Sequence, residues 1–184
     1  MKQICVYCGS NPGKRTDYVA AARQLADTML TRGISLVYGG ARVGMMGELA
    51  NRILDAGGEV CGVIPEALVS REVAHEGLTR LLVVKSMHER KAAMAELSDG
   101  FIALPGGFGT LDEFFEILTW AQLGFHRKPS ALLNVAGYYD RLIAFLDHAV
   151  SETFIKEAHR QLIMCGTNPE EIISLMESYG APDP

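Results

Sequence analysis

Short apolar runs alternate along the chain with longer stretches in which apolar residues recur every three or four positions. Runs of four to six residues that are apolar along their whole length are typical of strands buried on both faces. The longer stretches have the period of amphipathic helices. The predicted strands are residues 4–7, 34–38, 59–64, 81–85, 101–104, 131–135 and 162–165, and the predicted helices are residues 16–30, 47–56, 89–97, 110–123, 138–150 and 168–179.

This alternation of strands and helices predicts an α/β fold, a parallel sheet with helices on both faces. In such sheets, ligands bind beyond the carboxyl ends of the strands. Residues 66–80 lack a clear period and are predicted to form a loop or a short helix. Long irregular connections in compact domains are often functional, so this segment is a candidate to face a ligand.

Residues 101–113 carry the strongest chemical signal, Phe-Ile-Ala-Leu-Pro-Gly-Gly-Phe-Gly-Thr-Leu-Asp-Glu. A predicted strand is stopped by Pro105, three glycines follow within four residues, and Thr110 is predicted to open a helix. The first turn of a helix has unpaired N–H groups and the positive end of the helix dipole, and glycines let an anion approach them. The segment therefore predicts a phosphate-binding turn.

The same residues allow a second interpretation. Thr110 and Glu113 have the spacing of a capping box, in which Thr caps the helix and Glu reaches back to the Thr N–H. Helical periodicity places Leu111, Phe114 and Leu118 on the core side, with Glu113 pointing away from it. Glu113 is thus not needed for the core, and both interpretations stay open on this segment alone.

Two further loops and a pair of cations are predicted to share the same edge of the sheet. Residues 9–13 and 39–47 are glycine-rich turns that follow strands, although the second has neither the dinucleotide fingerprint nor the P-loop pattern. Ser86 and Glu89 form another capping box, which leaves Arg90 and Lys91 in the first turns of a helix, where cations oppose the dipole. Glycine-rich turns and cations at one edge together favour a phosphorylated ligand.

Composition restricts the number of domains, the class of partner and the compartment of the protein. The 184 residues predict a single domain, and the 48% hydrophobic content is typical of a globular protein. A net charge of −5 argues against nucleic acid or an anionic membrane as a partner. The absence of a long apolar run and the short apolar start of the chain predict a cytoplasmic protein with reduced cysteines.

The motifs resemble one family along nearly the whole chain. Residues 105–113, Pro-Gly-Gly-Phe-Gly-Thr-Leu-Asp-Glu, resemble the P-G-G-x-G-T-x-x-E signature of the LONELY GUY family, and residues 87–91 resemble its Arg-Lys element. Residues 8–13, 38–47, 119–124 and 133–139 support the resemblance. It implies a Rossmann-like, doubly wound fold, a homodimer, and hydrolysis of the N-glycosidic bond of cytokinin riboside 5′-monophosphates and commonly AMP.

The resemblance also implies roles for individual residues. Arg90 and Glu113 match the two catalytic residues of the family. The candidate substrate-binding residues are Gly9, Ser10, Gly40, Gly44, Glu72, Met87, Lys91, Gly106, Gly107, Phe108, Gly109, Thr110 and Thr119. No metal is expected, because the five histidines lack the spacing of metal ligands. No cofactor is expected either: members of the family carry an old label of lysine decarboxylase, but no lysine of this sequence has the surroundings of a pyridoxal-binding lysine.

An N-glycosidic hydrolase needs a carboxylate near the ribose, and Glu113 is predicted to supply it, with Arg90 orienting it or the sugar. The alternative is a non-catalytic nucleotide sensor or carrier on the same fold. The helix predicted after Thr110 has a second apolar side, formed by Ile117, Trp120 and Leu123. This is more apolar surface than contact with one core requires, so it predicts a subunit interface.

Overall fold

The computed structural model describes residues 1–69 and 74–180. Within them, seven strands form one parallel sheet in the order β4-β3-β2-β1-β5-β6-β7. The strands are β1 (Gln3–Tyr7), β2 (Ser35–Tyr38), β3 (Val60–Pro65), β4 (Arg80–Val84), β5 (Gly100–Ala103), β6 (Ser130–Leu133) and β7 (Ile163–Gly166). Each agrees with its predicted range to within two residues, so the predicted α/β fold is confirmed.

Helices cover both faces of the sheet. They are α1 (Thr16–Thr31), α2 (Gly44–Asp55), α3 (Glu66–Val69), α4 (Met87–Leu97), α5 (Phe108–Gln122), α6 (Asp140–Ser151), α7 (Glu157–Arg160) and α8 (Pro169–Glu177), with a 3-10 turn at Val135–Gly137. No helix of the described ranges is long and apolar enough to cross a membrane.

Alternate residues of each central strand enter two separate cores, as the two-residue repeat of a strand requires. In β1, Ile4 and Val6 pack with α1, α2 and α8 on one face, whereas Cys5 and Tyr7 pack with α4, α5 and α6 on the other. These strand residues are almost fully buried, which explains why the strands read as continuous apolar runs.

The strand order places a topological switch between β1 and β5. From β1 the chain moves outward through β2, β3 and β4, and then returns to the other side of β1 with β5. The loops that follow β1 and β5 therefore leave the sheet side by side and open a crevice between them. Gly9 follows β1 and Pro105 follows β5, and the Gly9 N–H donates to the Pro105 carbonyl at 3.1 Å.

Candidate active site

A pocket of about 440 Å³ lies at this switch point. Its floor is formed by the end of β1 and by Pro105, which follows β5, and its walls by the first turns of α2, α4 and α5. Of the predicted site residues, those that line it are Gly9, Ser10, Met87, Arg90, Gly106, Gly107, Phe108, Gly109, Thr110 and Glu113.

The turn before α5 presents unpaired main-chain donors to this pocket. Helix α5 begins at Phe108 with Gly107 as its N-cap, and no side chain caps it. Leu111 is the first residue whose N–H bonds back into the helix, to Gly107 at 3.2 Å. The N–H groups of residues 107–110 donate to no other described residue, which leaves them available to an anion.

The prediction that Thr110 caps this helix is wrong. Thr110 lies inside the first turn, two residues after the helix begins, and its hydroxyl faces Gly106. A methyl group at Gly106 would collide with that hydroxyl, so the turn closes only with glycine there. The capping-box interpretation of Thr110 and Glu113 therefore does not hold for α5, whose N-cap is Gly107.

Glycines hold the three loops of the site in backbone contact. Gly44, with φ +59°, leaves no room for a side chain because it abuts the main chain of Ser10 and Asn11. The Met45 N–H donates to the Gly9 carbonyl at 3.2 Å. The loops after β1 and β2 and the turn before α5 thus form one rigid rim, in which Gly44 supports the loop instead of lining the pocket.

Arg90 and Glu113 meet inside the pocket. The Arg90 Nη2 lies 3.6 Å from the Glu113 Oε1, and the two side chains are only 7% and 11% exposed. Arg90 reaches this place from α4 and Glu113 from α5, so two helices on the same face of the sheet bring the pair together. At 3.6 Å the contact is an ion pair without a short hydrogen bond.

The Arg90 guanidinium has few acceptors for a buried cation. Its Nη2 lies 3.4 Å from the Gly39 carbonyl, its Nη1 lies 3.8 Å from the Met87 sulfur, and its Nε has no partner among the described residues. Buried polar groups are normally hydrogen-bonded, and an unsatisfied donor at a pocket wall is typical of a ligand site. Gly39 is essential to this arrangement, because a methyl group there would overlap the guanidinium.

Lys91 has a different environment from its neighbour. Its amine lies 2.9 Å from Glu116 and 3.2 Å from Asp112, both on α5. Burial opposes its charge, but the bonds to Glu116 and Asp112 outweigh burial and raise the pKa of Lys91. Lys91 is therefore charged and joins α4 to α5 at the edge of the pocket, which Asp112 lines. These two carboxylates stabilise a cation near the start of α4 without any ligand.

The remaining predicted residues lie elsewhere. Gly40, with φ +82°, packs against β3, and its carbonyl accepts from the His75 N–H at 2.9 Å. Thr119 is on α5 beside a separate groove, where its hydroxyl donates to the Phe115 carbonyl at 2.8 Å. Glu72 falls outside the described residues.

Sequence reasoning missed several residues of the pocket. Gly39, Tyr18 and Tyr138 line it, as do the apolar side chains of Met45 and Met46. Gly39 and Tyr138 both follow strands at the edge where ligands bind, and this position is the signal that could have found them. The two methionines occur in a helical apolar pattern, which does not distinguish a pocket wall from the core.

Ionisable groups behind the pair are kept neutral. Burial raises the pKa of the Cys8 thiol and of the Tyr7 hydroxyl, and the charge of Glu113 adds to both effects. Neutral, poorly hydrated surroundings strengthen every interaction between Arg90, Glu113 and a bound ligand. In the described ranges, no group of three or more His, Cys, Asp or Glu side chains could hold a metal ion.

Comparisons with known proteins identify relatives of this chain. A family model described as "Possible lysine decarboxylase" matches residues 46–176. Cytokinin riboside 5′-monophosphate phosphoribohydrolase LOG5 of Arabidopsis thaliana is 48% identical over 97% of this chain and 78% of its own length. The phosphoribohydrolases LOG of Oryza sativa subsp. japonica and LOG7 of Arabidopsis thaliana are each 49% identical over 97% of this chain, and over 74% and 82% of their own lengths.

Solved structures share the fold at lower identity. A molybdenum cofactor binding protein from Rippkaea orientalis superposes with a TM-score of 0.71 at 23% identity, over 97% of both chains. A molybdenum cofactor carrier protein from Chlamydomonas reinhardtii gives 0.70 at 20% identity, over 96% of both chains. The pocket lies at the switch point of that shared fold, and at nearly half identity over almost its full length this chain belongs to the LONELY GUY family of cytokinin riboside 5′-monophosphate phosphoribohydrolases.

Proposed function

We propose that the protein hydrolyses the N-glycosidic bond of nucleoside 5′-monophosphates, namely cytokinin riboside 5′-monophosphates and AMP. The observation that carries the proposal is the buried Arg90–Glu113 pair, 3.6 Å apart, in the same pocket as an uncapped helix N-terminus. The products are the free base and ribose 5-phosphate. Homology to phosphoribohydrolases at 48% identity supports the reaction class.

The 5′-phosphate binds at the turn before α5. The free N–H groups of residues 107–110 and the positive end of the α5 dipole favour a doubly charged anion there. Thr110 adds a hydroxyl at the same place. This local donor set explains how a chain with a net charge of −5 binds a phosphorylated substrate.

Glu113 acts on the ribose. It lies one helical turn beyond Thr110, so a ribose attached to the bound phosphate reaches its carboxylate. Cleavage breaks the bond between C1′ and the base nitrogen, and a water oxygen forms the new bond to C1′. The proton that the water loses balances the proton that the departing base gains, so the products are neutral base and the ribose 1-hydroxyl. The carboxylate stabilises the positive charge that develops on the sugar and takes a proton from the attacking water.

Arg90 orients this carboxylate and donates hydrogen bonds to the substrate. A guanidinium keeps its proton at any physiological pH, so Arg90 is not the acid that protonates the leaving base. Its unpartnered Nε and its long contacts leave at least one donor for a sugar hydroxyl or a phosphate oxygen. The methionines of α2 and Met87 form the apolar wall that receives the base.

The test is release of free base from AMP and isopentenyl-AMP, followed by chromatography. Glu113→Gln keeps the size of the side chain and is expected to lower kcat by about 10²- to 10⁴-fold while the nucleotide still binds. Glu116→Gln serves as the control, because Glu116 lies on the same helix, pairs with Lys91 at 2.9 Å and does not line the pocket. Near-normal turnover by Glu113→Gln would remove Glu113 from the chemistry.

The same assay separates the enzyme from a sensor or carrier on this fold. A carrier binds nucleotide through the phosphate turn and has no use for a carboxylate facing the ribose. Tight binding of AMP by the wild-type protein without any release of base would favour the carrier.

We further infer a homodimer, formed through the groove of about 200 Å³ that α5, α6 and α7 border. Large apolar side chains on or next to these helices are more than half exposed, namely Leu123, Phe125, Phe145 and Phe154. Exposed apolar clusters of this kind are typical of protein interfaces. Of the apolar side predicted for α5, Ile117 packs into the core of its own chain, while Leu123 remains exposed.

A further inference from the structure

The turn that precedes α5 is held by three hydrogen bonds to consecutive carbonyl groups. Each donor comes from outside the turn, two of them from adjacent tyrosines that follow the 3-10 turn after β6. The bonds run from the Tyr139 hydroxyl to Leu104 at 2.6 Å, from the Gly9 N–H to Pro105 at 3.1 Å, and from the Tyr138 hydroxyl to Gly106 at 2.6 Å. The peptide planes of the turn therefore cannot rotate freely.

The planarity of the peptide gives the bond from Tyr138 a particular consequence. The carbonyl of Gly106 and the N–H of Gly107 belong to one trans peptide plane and point in opposite directions. By holding that carbonyl, Tyr138 sets the direction of the Gly107 N–H, the first of the free donors at the start of α5.

The bond from Tyr139 has no such consequence. The carbonyl of Leu104 shares its peptide plane with the nitrogen of Pro105, which carries no hydrogen. Tyr139 is fully buried, so its bond contributes to folding but orients no donor. Two neighbouring tyrosines thus make hydrogen bonds of equal length to the same turn, and only one of them is linked to an anion-binding group.

The position of Tyr138 is itself well determined. Its ring packs edge-on against Tyr139 at 5.0 Å and against Tyr18 at 5.7 Å between ring centres. The preceding residues Ala136 and Gly137 both have positive φ, which turns the chain back toward the pocket. The hydroxyl is therefore presented to Gly106 by a rigid support.

We propose that Tyr138 is a positioning residue for phosphate binding: its hydroxyl fixes the Gly106–Gly107 peptide so that the Gly107 N–H faces the 5′-phosphate. This proposal rests on the proposed function for the identity of the ligand. Loss of the hydroxyl frees that peptide and weakens the binding of phosphorylated ligands only, because the remaining walls of the pocket are unchanged.

The test compares Tyr138→Phe with Tyr139→Phe by calorimetric binding of ribose 5-phosphate and of adenosine, neither of which needs turnover. Tyr138→Phe is expected to weaken ribose 5-phosphate binding about 5- to 20-fold, less than the loss of a whole charge-assisted hydrogen bond, because the Gly107 N–H is misdirected and not removed. The change for adenosine is expected to be less than about 2-fold. With AMP, KM rises by a similar factor while kcat changes little. Tyr139→Phe lowers the melting temperature but leaves the ratio of the two affinities unchanged.

Several outcomes overturn the proposal. These are an equal loss for both ligands in Tyr138→Phe, no loss at all, the same selective loss in Tyr139→Phe, or a wild-type protein that does not bind ribose 5-phosphate. A selective loss in Tyr138→Phe, in a protein that releases no base from AMP, would contradict the proposed hydrolysis and still support the role of Tyr138.

Discussion

At the scale of single residues, the Arg90 side chain shows how the site departs from ordinary packing. A buried charge is normally surrounded by short hydrogen bonds, because desolvation otherwise costs several kcal/mol. Arg90 is 6% exposed, and within residues 1–69 and 74–180 its side chain has only long contacts, to Gly39, Met87 and Glu113. N–H groups of the Arg90 guanidinium are therefore available to donate hydrogen bonds to a ligand.

Gly39→Ala tests whether activity depends on the position of the Arg90 guanidinium. The added methyl group overlaps the Arg90 guanidinium, which must leave its present position beside Glu113. We expect kcat/KM for AMP to fall by about 10- to 100-fold, since a misplacement of about 1 Å at a reacting centre has effects of that size. The measurement is steady-state base release, with circular dichroism to verify folding.

The matched control is the same substitution in an Arg90→Ala background. Without the guanidinium, the nearest atom left for the methyl group to meet is the Met46 sulfur at 3.3 Å, on a flexible side chain. Gly39→Ala should therefore cause little further loss in that background. Independent losses that multiply in the double variant would show that Gly39 acts on the site by another route.

At the scale of elements, the helices differ in how they begin. Ser86 caps α4 by accepting from the Glu89 N–H at 3.1 Å, and Asn168 caps α8 by accepting from the Glu170 N–H at 2.8 Å. In α4 the Glu89 carboxylate accepts from the Lys85 N–H, one residue earlier than a full capping box would have it. Helix α5, at the phosphate turn, has no such cap.

Ser86→Ala tests whether the α4 cap serves the site as well as the fold. Loss of a cap is expected to lower the free energy of unfolding by about 1 kcal/mol. Because α4 carries Arg90, we also expect a decrease in kcat, measured by base release alongside chemical denaturation.

Asn168→Ala gives the comparison for this effect. It removes an equivalent cap from α8, which packs on β6, β7 and α1 and does not line the pocket. A similar loss of stability without loss of kcat is expected. If both variants lost activity equally, the effect of Ser86 would be one of global stability.

The elements also show what local sequence could predict. The strands were predicted closely because burial on both faces makes each of them a continuous apolar run. The start of α5 was wrong by two residues because Thr110 has the composition of a cap, whereas the chain uses Gly107. The contact of Gly39 with Arg90 joins residues 51 positions apart, and no local pattern reports it. The partners of Lys91 on α5 were missed for the same reason.

At the scale of the whole molecule, one sheet separates two cores and places the pocket where the strand order reverses. The exposed apolar side chains of α5 and α6 lie apart from the residues that line this pocket, with Phe108 as an exposed exception at its rim. The inferred dimer therefore uses a surface that the bound nucleotide does not occupy.

Phe145→Glu tests the inferred dimer. Phe145 is 62% exposed on α6, and a carboxylate there would be desolvated in an apolar interface. We expect the dimer to dissociate at least about 10-fold more readily, as measured by sedimentation equilibrium over a range of concentrations. Leu175→Glu on α8 is the control, because it places the same charge on an exposed apolar residue on the other face of the sheet. A monomeric wild-type protein would contradict the inference.

The backbone contacts among the loops at Gly9, Gly44 and Gly106 have a consequence for how such a protein diverges. Because main-chain N–H groups form most of the proposed phosphate site, few side-chain substitutions can alter it, and a methyl group at Gly44 or Gly106 collides with neighbouring atoms. The wall formed by Met45, Met46 and Met87 carries no such restriction, since methionine adapts to many shapes. Related proteins can therefore differ in the base that they prefer while all of them still require a phosphorylated sugar.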